Sequence, residues 1–213
     1  TDLAEKLSAR GFSADALSSL APLPETAGEL AFIGGYFSDS SIVTGLDATE
    51  EKIRKMDLRK YNVISFATHA LVSNELTGLI EPSLVLTPVD AENPANDGLL
   101  TASEIMKLDL DADMVLLSAC NTASSYGVSN SEGLSGLANS FFQAGAKSLF
   151  VSYWSVISES AVDITTRMFS PTNTGRSYAH RHRNSVLELL KESEGTIKSH
   201  PSYWAPFSVI GVN

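Results

Sequence analysis

Cysteine is nearly absent from this sequence of 213 residues, which contains a single thiol, that of Cys120. One cysteine allows neither an internal disulfide nor a multi-thiolate metal site, so nothing requires an oxidising compartment. The sequence also has no run of eighteen apolar residues and no charged-then-apolar leader. We therefore expect no bound metal, no membrane-spanning helix and no secretory signal, and we predict a cytoplasmic protein.

Positive charge is scarce as well. The sequence contains 15 Lys and Arg residues and 25 Asp and Glu residues, which gives a net charge of −10. Such a balance argues against nucleic-acid binding, because that binding depends on neutralising phosphates. The glycine-rich phosphate loops GxGxxG and GxxxxGK[ST] are missing, so a nucleotide has little support and no cofactor is expected. A hydrophobic content of 43% is typical of a globular core.

Three apolar runs are typical of strands buried on both faces of a parallel sheet. They cover residues 61–69, 113–120 and 148–154. Helical patterns alternate with these runs, for example over residues 25–34 and 177–191. This alternation predicts an α/β fold in which helices flank a mostly parallel central sheet, with right-handed crossovers.

Turn and capping residues predict further boundaries. Residues 101–104 (TASE) form a capping box ahead of a short helix, and Gly145 is a typical glycine at the end of a helix. Residues 41–44 and 204–211 are strand candidates, and the proline within the second predicts an edge strand or the start of a strand. His180 and His182 flank arginines, which predicts a solvated helix face and not a metal site.

Two of the apolar runs end at side chains suited to nucleophilic chemistry, His69 and Cys120. Parallel strands carry their carboxyl ends to one edge of the sheet, where ligands bind. A thiol of pKa about 8.5 is only a few per cent ionised at pH 7, so a nucleophilic Cys120 needs a base or cation, which His69 can supply. The N–H groups of Ala70 and Cys120 can stabilise an oxyanion. On these residues alone, an inert core cysteine and a structural histidine remain an equal alternative.

Several motifs together resemble one known family. They are FATH at 66–69, DGLLTA at 97–102, LSACNT at 117–122, EGL at 132–134, AGA at 144–146, the stretch 151–156 and HPSYWAPF at 200–207. This combination, which extends from about residue 23 to 211, resembles a CHAT domain. CHAT domains are caspase-like cysteine peptidases related to separase and gingipain, and they are often fused to tetratricopeptide repeats that receive a signal.

The resemblance implies a caspase-like three-layer sandwich. It also implies that His69 is the general base or thiolate partner and that Cys120 is the nucleophile that forms an acyl-enzyme. Residues 1–22 would be a helical segment of a longer chain, and residues 23–213 the peptidase domain. Ala70 departs from the family, which usually has glycine after the histidine. Alanine keeps the N–H group but restricts φ and adds a methyl group near the substrate.

Candidate substrate contacts lie at the same edge of the sheet. In caspase-like folds the region of Ser152, Tyr153 and Trp154 pairs with an extended substrate, although the two aromatic residues could equally cap the core. Asp97 and Glu132 could bind a basic side chain of the substrate. The preferred alternative is that Asp97 forms a turn with Gly98 and that Glu132 stabilises a helix N-terminus.

The function predicted from the sequence is that of a cysteine endopeptidase for a protein or peptide substrate. A partner or a further domain, such as a tetratricopeptide-repeat domain, would control it. The alternative is a catalytically silent caspase-like module that binds a peptide or protein. This alternative is based on Ala70, which stands where the family usually has glycine. A third hypothesis, a small-ligand α/β domain without thiol chemistry, predicts that replacing Cys120 has no effect.

Overall fold

The computed structural model describes residues 20, 22–73, 79–90, 93, 95–118, 131–153, 156 and 158–212, and for residues 131–135 and 158 it describes the backbone alone. Its strands are β1 (Val63–Phe66), β2 (Ala70–Leu71), β3 (Ser83–Val85), β4 (Leu99–Thr101), β5 (Met114–Leu117), β6 (Ser148–Ser152) and β7 (Phe207–Gly211). Its α-helices are α1 (Glu25–Gly34), α2 (Glu50–Lys55), α3 (Ala102–Ile105), α4 (Ser131–Ala144), α5 (Ser158–Met168), α6 (Tyr178–Glu192) and α7 (Pro201–Trp204).

The central sheet has the strand order β1-β5-β6-β7. Strands β1, β5 and β6 are parallel, and β7 pairs antiparallel with β6. Strands β2, β3 and β4 form a second, antiparallel sheet. The prediction of a mostly parallel central sheet flanked by helices is therefore confirmed.

Helices pack on both faces of the central sheet because its middle strands are apolar on both sides. Strand β5 is fully buried: Val115 and Leu117 join the core beneath α4, whereas Met114 and Leu116 join the core beneath α1, α5 and α6. Burying each such side chain contributes about 1.5–3 kcal/mol. The result is the three-layer sandwich that the resemblance implies.

Helix α4 ends at a glycine whose backbone no other residue could easily adopt. Gly145 has a φ of +112°. Its N–H group donates to the Phe142 carbonyl at 3.1 Å, and that of Ala146 donates to the Phe141 carbonyl at 3.0 Å. This Schellman pattern satisfies the last carbonyls of the helix and returns the chain to β6. The predicted glycine stop is confirmed.

Two strand predictions need correction. Residues 41–44 form no strand, and most of them are exposed, because no neighbouring backbone in the described part of the chain pairs with them. The predicted last strand starts later, at Phe207, because Pro201 begins the short helix α7 with His200 as its N-cap. Pro206 directly precedes β7, which lies at the end of the strand order, as the proline predicted.

Helix α6 does not present His182 to solvent, although the neighbouring arginines predicted a solvated face there. The His182 ring lies edge-on to the Phe150 ring, with 5.7 Å between centroids. Burial lowers the pKa of His182, and its Nε2 atom has no hydrogen-bond partner among the described residues. The prediction of a solvated face was therefore wrong for His182, because it lies on the same side of the helix as Tyr178 and Val186, which pack in the core. None of the helices within the described ranges is long and apolar enough to cross a membrane.

Candidate functional site

Strands β1 and β5 bring two segments to one edge of the central sheet. They are parallel neighbours, and their register pairs Phe66 with Leu117. Strand β6 runs in the same direction on the other side of β5. The edge where these three strands end is called here the carboxyl edge. His69 follows Phe66 by three positions, and Cys120 follows Leu117 by three positions.

His69 lies between β1 and β2, where the chain leaves the central sheet for the small one. Its carbonyl oxygen accepts a hydrogen bond from the Val85 N–H at 2.9 Å. The preceding residue, Thr68, donates its hydroxyl proton to the Val85 carbonyl at 2.5 Å. Two adjacent residues are thus tied to β3, and His69 is 8% exposed. This anchoring fixes the backbone at the carboxyl edge.

Ala70 is the first residue of β2, opposite Leu84 of β3. Because the hydrogen bond to β3 is made at His69, the next residue along an antiparallel ladder directs its N–H and C=O groups away from that partner. The Ala70 N–H group therefore faces away from β3. The Ala70 side chain is buried in the hydrophobic core. The methyl group that departs from the family pattern thus packs inward.

The remaining predicted site residues fall into two groups. Cys120 and Trp154 lie outside the described residues, and so does the side chain of Glu132, whose backbone is in the first turn of α4. Ser152 is the last residue of β6 and is buried, whereas Tyr153 is half exposed. The Tyr153 N–H group donates to the Pro206 carbonyl at 2.9 Å, which ties the carboxyl end of β6 to the start of β7.

Asp97 lies in the turn before β4, at the end of the small sheet. Strand β3 of the same sheet is hydrogen-bonded to His69. Leu99 pairs with Val85, the residue whose N–H binds the His69 carbonyl. The Asp97 carboxylate is buried and accepts the Leu99 N–H at 2.9 Å. Gly98 has a φ of +88°, as a tight turn requires. The described contact of Asp97 is thus a turn contact, and a role in substrate binding stays a prediction.

Glu50, which the sequence analysis missed, supports this turn from α2. Its side chain is buried, and its Oε2 accepts the Gly98 N–H at 2.6 Å. Burial raises the pKa of Glu50 to about 7, and the nearby Glu104 and Asp97 carboxylates add to this, against the opposing effects of the Gly98 N–H and Arg54. An acid on an amphipathic helix gives no sequence signal of this burial.

Replacing Glu50 with glutamine is expected to flatten the pH dependence of folding stability between about pH 4.5 and 7. In that window the folded protein holds a proton on Glu50 that the unfolded chain has released, so the contribution of this group falls as the pH rises. The expected difference between the two profiles is roughly 2 kcal/mol across the window. Urea unfolding at several pH values measures it.

Glu51→Gln is the matched control for this measurement. Glu51 is the next residue of α2, and its carboxylate is exposed beside Lys55. The hydrogen bond and charge of Lys55 lower its pKa, the opposite direction to Glu50. A Glu50→Gln profile parallel to that of the wild type would show that this carboxyl is not held in its neutral form.

A second buried acid, Glu29, joins α1 to the end of β5. It is 1% exposed, and its Oε1 lies 2.7 Å from the hydroxyl groups of both Ser118 and Thr165. Burial raises the pKa of Glu29, and the two hydroxyl contacts oppose the shift. The only sequence signal is its position four residues before the buried Ile33, on the inward side of the helix.

The described residues contain no group of three or more His, Cys, Asp and Glu side chains that could hold a metal ion. The three layers and the parallel strands that end at one edge fit the class of caspase-like sandwiches. The CHAT domain family model matches residues 6–212, and the chain therefore belongs to the CHAT domain family. This confirms the resemblance drawn from the sequence motifs.

Curated relatives match along most of this chain. Tetratricopeptide repeat protein 28 of Mus musculus is 27% identical over 235 residues, and that of Homo sapiens is 25% identical over 230 residues. Each alignment covers 89% of this chain but only 9% of the mouse protein and 8% of the human protein. The chain thus spans less than a tenth of the length of these relatives.

Proposed function

We propose that this domain is a cysteine endopeptidase in which Cys120 is the nucleophile and His69 its base or thiolate partner. One observation carries the proposal: the register of β1 against β5 pairs Phe66 with Leu117, and the histidine and the cysteine each follow at the same distance in sequence. Family membership supports it, because CHAT domains are related to cysteine peptidases.

In the proposed reaction the Cys120 sulfur attacks the carbonyl carbon of the scissile peptide bond, and the thiol proton passes to His69. The N–H groups of Ala70 and Cys120 stabilise the oxyanion of the tetrahedral intermediate. The imidazolium then donates its proton to the leaving amine, which leaves an acyl-enzyme. A water molecule, deprotonated by His69, attacks this thioester, and the acid product departs as the thiol is restored.

The orientation of the Ala70 N–H group supports its part in this reaction, because it faces away from β3. Substrate would lie extended beside the carboxyl end of β6, near Ser152, Tyr153 and Trp154, as in strand addition. Basic substrate side chains would meet Asp97 or Glu132. In this proposal the protein is cytoplasmic, residues 1–22 join residues 23–213 to a longer chain, and a regulatory domain controls cleavage. The names of the relatives favour tetratricopeptide repeats for that domain.

Alkylation of Cys120 by iodoacetamide tests the proposal directly, because no other thiol is present. Replacing His69 with alanine is expected to slow alkylation roughly tenfold at pH 6, since an unpaired thiol is then under 1% ionised. At pH 9 the two rates should converge, because both thiols are ionised there. The measurement is the alkylation rate by mass spectrometry from pH 5 to 9.

His180→Ala is the matched histidine control, because His180 is exposed at the start of α6 and binds Ser177. It should leave the profile unchanged. A wild-type thiol that reacts like a model thiol at every pH, with no change in His69→Ala, would contradict the proposed pairing.

A further inference from the structure

Glu29 forms a buried polar link between three elements of the fold. Its carboxyl group lies 2.7 Å from Ser118 Oγ, just past β5, and 2.7 Å from Thr165 Oγ1 on α5. Glu29, Ser118 and Thr165 are 1%, 7% and 0% exposed. The contact with Ser118 spans 89 positions of the sequence, and the contact with Thr165 spans 136 positions. The link therefore exists only in the folded protein.

The protons of this link can be counted. Thr165 has one hydroxyl proton, and its Oγ1 also lies 2.8 Å from the Ala161 carbonyl one helical turn earlier. Thr165 donates to Glu29 Oε1, so its single proton is shared between this carboxyl oxygen and the Ala161 carbonyl. Ser118 donates to Glu29 in turn. Both hydroxyl groups therefore donate to one carboxyl oxygen, Glu29 Oε1, from opposite elements of the fold.

Placing a carboxyl group at this position of the core has a cost in free energy. Burying a polar group costs free energy unless its hydrogen bonds are made, and apolar side chains of similar volume often serve stability as well or better. The surroundings are apolar, because Ile33, Met114 and Leu116 pack in the core on this face of the sheet. A hydrogen-bonding side chain supplies two contacts here that an apolar one would lack, those to Ser118 and Thr165.

Ser118 is the last described residue before the LSACNT segment reaches Cys120. It leaves β5 one residue after Leu117, the partner of Phe66 in the register. The hydrogen bond to Glu29 therefore anchors the chain directly after β5, two positions in sequence before the proposed nucleophile. Displacements of about 1 Å at a reacting group can reduce rates by up to about a hundredfold.

We propose that Glu29 is a positioning residue: by holding the Ser118 hydroxyl, it sets the path of the chain that presents Cys120 to His69. The proposal rests on the proposed function and extends it to a residue on α1 that touches no substrate. Thr165 orients the Glu29 carboxyl from the opposite side.

The test compares three variants by the rate of Cys120 alkylation at pH 6 and by urea unfolding. Glu29→Gln keeps the shape and both hydrogen bonds, and we expect its rate to stay within about twofold of the wild type. Glu29→Leu fills the same volume without the bonds, and we expect its rate to fall roughly tenfold, as in His69→Ala. Ser118→Ala removes the Glu29–Ser118 contact by changing the other partner, with only a small change in volume. It should reproduce the fall in alkylation rate even if Glu29→Leu does not fold.

Double variants separate positioning from general destabilisation. If Glu29 acts through the Cys120–His69 pair, Ser118→Ala combined with His69→Ala should react no more slowly than His69→Ala alone. Ser193→Ala is the control, because it removes another buried serine hydroxyl, which donates to the Leu189 carbonyl on α6, and it should keep the rate within about twofold.

The results distinguish the two proposals. A strong effect of His69→Ala with no rate change in Ser118→Ala and Glu29→Leu would overturn the role of Glu29 and leave the peptidase proposal intact. A thiol that is insensitive to His69→Ala would overturn both, since there would be no pair to position. Loss of stability in Ser118→Ala with an unchanged rate would assign Glu29 to folding alone.

Discussion

Replacing Cys120 with alanine is expected to abolish proteolysis, with a loss on the order of 10⁴-fold or more. The reason is that no other group of the proposed site can form the acyl-enzyme, and removal of a nucleophile leaves only binding and oxyanion stabilisation. Cleavage of a peptide library, followed by mass spectrometry of the new termini, measures the effect in the full chain. It also reports the residue preference before the cut.

Two controls make this result specific. Glu51→Gln changes a carboxylate that pairs with Lys55 on the surface of α2, outside the proposed site, and should cleave the library at wild-type sites. His69→Ala should suppress the same cleavages as Cys120→Ala. If the wild-type protein binds peptides yet produces no new termini, and Cys120→Ala binds them equally, the domain is a silent binding module. Cleavage that persists in Cys120→Ala would assign the activity to another group.

Replacing Gly145 with alanine is expected to destabilise the fold by about 4 kcal/mol, which corresponds to a drop in Tm of about 10 °C. A Cβ at this position would lie 2.2 Å from the Leu110 carbonyl oxygen, and the φ of +112° disfavours any side chain. The backbone cannot easily withdraw, because the Leu110 N–H donates to the Ala144 carbonyl at 2.8 Å. Thermal and urea unfolding measure the loss.

Gly175→Ala isolates the contribution of the backbone conformation. Gly175 also has a positive φ, +76°, but a Cβ there would have no atom within 4 Å. We expect a loss of roughly 1 kcal/mol for the conformation alone. Equal losses in both variants would show that the approach of Leu110 to Gly145 does not limit the fold.

Local patterns predicted much of the fold because they report contacts between residues near in sequence. The Thr101–Glu104 capping box is present, with both reciprocal hydrogen bonds made. Helix α1 spans Glu25–Gly34, as its pattern predicted. Such features depend on caps and on one apolar side, which the sequence displays directly. The carboxyl edge was also predicted from the sequence, because neighbouring parallel strands have their carboxyl ends at the same edge of a sheet.

Elsewhere the local patterns failed, because the deciding contact came from a distant segment. Residues 41–44 resemble a strand by composition, but a strand needs a partner backbone, and none in the described structure pairs with them. His182 follows arginine in a polar helix, yet the Phe150 ring of β6 covers it. For His182 the helical period does carry a signal, because Tyr178 and Val186, four residues to either side, pack in the same core.

The sequence by itself indicated the α/β class of fold, the helix Glu25–Gly34, the capping box at Thr101 and the apolar runs that contain β1, β5 and β6. It did so because alternating apolar periods, caps and turn residues act over a few positions along the chain. Only the tertiary structure decided that the Glu29 carboxyl is buried against Ser118 and Thr165 and that Glu50 supports the Asp97 turn. A solvated carboxylate would fit the pattern at Glu50 equally well, and the inward position of Glu29 does not reveal which groups it contacts. The burial of the two acids is set by which helix packs on which face of the sheet, a choice made by contacts between residues far apart in sequence.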